Sequence, residues 1–125
     1  MTHHITPPLS LAAFAQRYVE YFEREFDPKT EAYYRLFDSK EFPKECEALG
    51  FKKDCGHSFI EAYGQKAWTD TQCLASIIGQ IIAPHLIGSA IFSKWRYFNH
   101  WAGSAPTDDN MHWFLLMFRR LLELA

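Results

Sequence analysis

Five polar residues of one segment, His85, Ser89, Ser93, Arg96 and His100, recur so that a helix over 85–101 brings them into one narrow arc. Their types suggest chemistry. Arg96 can grip an anion bidentately, and His100 can carry a proton or add a second donor. With Ser93, Ser89, His85 and, from an earlier loop, Asp54, they form a candidate ligand-binding set. The same spacing also fits a plain solvent face, or an Arg96–Asp54 pair that closes the fold, because spacing shows only that side chains share a face. Trp95, Tyr97 and Trp101 interleave with the arc and are candidate partner-binding residues, since Trp and Tyr concentrate where proteins meet. The remaining circumference is apolar apart from Lys94 and Asn99, the mark of a central helix with neighbours on several sides.

The loop Asp54-Cys55-Gly56-His57 invites sharper ideas. A cysteine nucleophile needs a base within hydrogen-bond reach, which a Cys-x-His spacing in one short loop rarely provides. Zinc needs three or four ligands, and Cys46, Cys55, His57 and Cys73 are not spaced like a ribbon or finger. A structural turn is the better account, with Asp54 bonding to the backbone, Gly56 at positive φ and His57 preceding a capped helix. No phosphate-binding glycine loop, HExxH, GxSxG or CxxCH is present, so neither a metal nor a cofactor is expected.

Composition narrows the partners. The 125 residues carry a formal charge of −2, so no global field draws in nucleic acid or an anionic membrane. The aromatics of 95–101 point in different directions on a helix and cannot form one stacking platform for bases. Three cysteines without a CxxC pair favour a reducing cytoplasm, and no run approaches eighteen uncharged apolar residues. Leu9 to Ala15 lacks a basic flank, and its pattern reads as a helix start, not a signal peptide. Aromatic residues reach 17% of the chain, enough to fill a core built from short helices or to dress a recognition surface.

The elements follow from periodicity and caps. Residues 1–8 read as a flexible arm. Leu11, Phe14, Ala15, Tyr18, Val19, Phe22 and Phe26 predict a helix of some eighteen residues starting at Leu9, after which Asp27 and Pro28 open a short segment with Tyr33, Tyr34, Leu36 and Phe37. Ser39 caps a stripe of Phe42, Cys46 and Leu49, closed by Gly50-Phe51 in the Schellman pattern. Capping boxes at Ser58-x-x-Glu61 and Thr69-x-x-Gln72 precede a helix to about Lys66 and an apolar face of Cys73, Leu74, Ile77, Ile78, Ile81 and Ile82. Pro84 breaks or kinks that run, and Thr107 caps a last helix with Asp108 and Asp109 at its start and Arg119 and Arg120 near its end.

The expectation is one all-α domain over 9–125, an irregular bundle of five to seven helices. No strong catalytic signature is present, so the function expected is a small cytoplasmic protein-interaction or regulatory module whose partner is another protein. The alternative is a small-molecule or anion-binding domain, or a hydrolase, that uses the Arg96/His100 groove for a small anionic ligand. The sequence leaves the oligomeric state open.

Overall fold

Ser10 opens the first helix as a cap, its hydroxyl accepting the Ala13 N–H at 3.0 Å. The computed structural model describes residues 10–25, 36, 39–100 and 108–125, and these are helical with short connections and no strand. Helix α1 (Leu11–Glu20) passes into a π-helical turn (Tyr21–Glu25), where the sequence neighbours Tyr21 and Phe22 are both buried. There follow α2 (Glu41–Ala48), α3 (Gly56–Tyr63), α4 (Gln65–Thr69) and α5 (Thr71–Ile77) with a 3₁₀ turn (Ile78–Gln80). Two long helices, α6 (Pro84–His100) and α7 (Asp108–Leu124), complete the order. No helix among the described residues is long and apolar enough to cross a membrane. The expected arm at 1–8, the Asp27-Pro28 start and the Thr107 cap lie outside the described residues.

Local chemistry sets the boundaries. The Ser39 hydroxyl accepts the N–H groups of Glu41 and Phe42, and α2 closes as a Schellman motif. Gly50 sits at φ +82° with its N–H on Glu47, while the Phe51 N–H reaches Cys46 at 2.9 Å. Neither capping box forms as expected. Helix α3 starts at Gly56, because the Cys55 carbonyl already accepts the Phe59 N–H, so Ser58 lies within its first turn. Glu61 pairs with His57 one turn back at 2.9 Å. At the second box the cap is Asp70, whose carboxylate accepts from Gln72 and Cys73, while the Thr69 hydroxyl turns back to Gln65. Helix α5 stops at Ile77 because the chain tightens into the 3₁₀ turn. Arg120 of α7 donates to the Gly79 and Ile81 carbonyls there, and Ile82, expected in the core, is 67% exposed. Pro84 starts α6 instead of kinking a helix.

The core is largely aromatic. Helix α1 lies along α7, where Tyr18 stacks on Phe118 (centroids 5.2 Å) and Phe22 on Phe114 (6.0 Å). Helix α6 packs on α2, α3 and α7, and Phe42 bridges Phe14 and Trp95. A second group joins Phe59 of α3, Trp68 of α4 and Trp113 of α7. Both buried indoles find acceptors: Trp95 donates to the Leu36 carbonyl at 2.7 Å and Trp113 to the Ala67 carbonyl at 2.9 Å.

Two outcomes test this packing. A Cβ at Gly88 would sit 2.2 Å from the buried Phe51 ring. Helix propensity alone favours Ala there by about 1 kcal/mol, whereas overpacking costs about 1–3. Gly88→Ala should therefore lower the melting temperature, and a rise would contradict the Phe51 placement. Tyr18 donates to Glu45 at 2.8 Å, and its phenol is pushed up from 10.0 to about 12, first by burial, with the Arg17 guanidinium opposing. The unfolded chain therefore loses this proton first as pH rises above 10, and folding stability falls between pH 10 and 12. Between pH 9 and 11 Tyr18→Phe should lose about 1 kcal/mol less than the parent in urea melts.

Candidate functional site

The polar arc of α6 meets the segment that follows α2. After the Gly50 turn, Phe51 lies against Gly88, with the His85 ring edge-on at 5.9 Å. The next residues run across the helix. The Ser89 hydroxyl accepts the Lys52 N–H at 2.9 Å, and the Ser93 hydroxyl accepts the Cys55 N–H at 2.7 Å. Ser93 in turn donates to the Ser89 carbonyl one turn back. Arg96 closes the strap with an ion pair to Asp54, and both side chains are well exposed. His85, Ser89, Ser93, Arg96 and Asp54 thus come together, chiefly as a fastening for residues 51–55. The backbone of His100 ends α6, but its side chain and Trp101 lie outside what is described.

Two expectations about this region need correction. Gly56 is helical and does not take positive φ; a Cβ there would meet the Trp68 ring at 3.2 Å. Asp54 points its carboxylate at Arg96 and not at its own turn. The three partner candidates also separate. Trp95 is buried at 5% exposure with its N–H satisfied, so it belongs to the core, whereas Tyr97 is 53% exposed. The thiols differ similarly. Cys46 is buried, which pushes it far above its ordinary range, while Cys55 and Cys73 are only partly buried. Among the described residues no three His, Cys, Asp or Glu side chains gather as a metal ion would need.

Two clefts flank the exposed ring of Tyr97, and Trp68 walls both. The first, about 390 Å³, lies on the strap side and is edged by Lys53, Asp54, His57 and Arg96. The second, about 480 Å³, opens between α4, the end of α6 and the start of α7, where Phe98, Gln65, Thr69 and Asn110 join the wall. Lys94 borders the second cleft and is 5% exposed. Its ammonium donates to the Trp68 carbonyl at 2.5 Å and lies 4.0 Å from the Trp113 ring centroid and 5.2 Å from that of Trp68. Sequence reasoning passed over this residue as an interruption of an apolar surface. A signal was available: at about 100° per residue Lys94 falls roughly 140° from the centre of the polar arc, on the side that must be buried. Comparison with protein-family models, curated proteins and solved structures finds no match to this chain.

The strap separates two kinds of polar contact by their worth. Ser93→Ala orphans the Cys55 N–H and should cost about 1–2 kcal/mol in a urea melt. Arg96→Met removes an exposed pair and should cost less than about 1 kcal/mol. The reverse order of the two losses would contradict this division of roles.

Proposed function

We propose that the protein is an interaction module of a reducing cytoplasm, and that it binds an acidic segment of a partner protein in the strap-side cleft. One observation carries this reading: exposed basic side chains stand beside two aromatic rings there. Lys53 and Arg96 are exposed around Trp68 and Tyr97, with His57 beside them paired to Glu61, against the single carboxylate of Asp54 among the described residues that line the cleft. Arg96 meets Asp54 through Nη1 alone and retains exposed surface, so a second carboxylate can join without unseating the strap. Tyr97 adds a rigid aromatic contact of the kind that anchors protein interfaces. The three free thiols fit a compartment without disulfide formation.

A small-ligand reading would draw on the same donors. The lining favours a segment of chain, because this cleft is edged by long exposed side chains. A salt-sensitive association follows from that rim. The test is amide shift mapping with a peptide of alternating Asp, Glu and Phe. Perturbations should concentrate on 53–57, Trp68, Arg96 and Tyr97, weaken with added salt, and fall at least about tenfold in the Lys53→Glu, Arg96→Glu double variant. Scattered shifts, or affinity unchanged in that variant, would overturn the proposal.

A further inference from the structure

The strap borders a further cleft, of about 370 Å³, that reaches from Glu47 of α2 to Phe92 of α6. Its apolar surface comes from the rings of Phe51 and Phe92, which are 5% and 2% exposed. Lys52, Lys53 and Asp54 complete its lining. Lys53 and Asp54 also line the strap-side cleft, so the two clefts adjoin at the strap. Both lysines are exposed, and neither ammonium has a partner among the described residues. The backbone beneath them is held, since the Lys52 N–H donates to the Ser89 hydroxyl at 2.9 Å. Asp54 is paired with Arg96, which leaves Glu47 as the one carboxylate of this cleft without a described partner.

We propose that the docked segment continues from the strap-side cleft over Lys53 and Lys52 and seats one bulky apolar side chain against Phe51 and Phe92. This extends the docking of an acidic segment proposed above, on which it rests, and gives that segment three parts: an aromatic residue, an acidic pair and an apolar anchor. Continuity comes first. Extended chain advances about 3.3 Å per residue, so a few residues pass from one cleft to the next. The charges come second. Two unpaired ammoniums stand where the clefts meet, and carboxylates placed there form charge-assisted bonds with them. The rings come third, because an apolar side chain seated inside a polar rim is the arrangement that concentrates binding energy. Glu47 sets the order of the parts. A carboxylate over α2 would meet a like charge, so the acidic pair belongs over the lysines and the apolar anchor lies nearest α2.

Synthetic peptides carrying Phe, two Glu and Leu, in that order and in reverse, serve as probes beside the same peptides with Ala for Leu. The full chain is titrated with each and followed by amide shifts. In the better-fitting direction, the Leu peptide should bind at least about tenfold more tightly than its Ala counterpart. It should also add shifts at Glu47, Lys52 and Phe92 to those at Trp68 and Tyr97. Lys52 lines this cleft and not the strap-side one, and its exposed side chain can be changed while its backbone bond to Ser89 remains. Lys52→Glu should therefore weaken the Leu peptide at least about fivefold. Equal affinity for the Leu and Ala peptides, shifts confined to the strap-side cleft, or unchanged affinity in Lys52→Glu would each overturn this extension and leave the docking of an acidic segment standing. Absence of shifts at both clefts would overturn the two together.

Discussion

Residues 51–55 cross α6 without a helix of their own, and backbone groups turned inward there must find partners or pay full desolvation. Ser89 and Ser93 supply those partners, and most of the surrounding geometry depends on this. Because the Cys55 N–H is held, α3 can begin at Gly56 and bring Phe59 down onto Trp68 and Trp113. Because Phe51 must reach α6, position 88 has room for no side chain. The strap therefore fixes how α2 and α3 sit on α6, with Asp54 and Arg96 as an outer and weaker fastening.

The aromatic richness of the chain has a related cause. Helices of five to ten residues present few side chains each, so large rings are the way to give each one enough buried area. Rings also bring polar edges inside, and the two buried indoles donate to carbonyls of chain segments outside their own helices. Lys94 extends the same logic, since its ammonium meets a carbonyl and two ring faces in one place. No buried side-chain polar atom among the described residues lacks a partner.

This accounting separates structural from available groups. Four of the five arc residues face the strap, which removes Ser89, Ser93 and His85 from the list of side chains free to meet a ligand. What remains open on α6 lies beside Tyr97, on the charged rim of the strap side. The proposed docking of an acidic segment stands on that exposed charge.

The all-α class, the central place of the helix at 85–101 and the Gly50-Phe51 stop were legible because each rests on local chemistry. Hydrophobic period, caps and a positive-φ glycine act within a few residues of one another. The partnership of Asp54 with Arg96 was legible only as one choice among several, since spacing fixes a shared face and not what covers it. Cap positions slipped where tertiary bonds competed: Ser93 anchored Cys55 and moved the start of α3, and Arg120 held the turn that ended α5 early. The burial of Trp95 and Lys94 beside an exposed Tyr97 could come only from the assembled structure. All three lie on one helix with similar local surroundings, and their fates depend on α2, α4 and α7, elements far away in sequence whose packing no local pattern encodes.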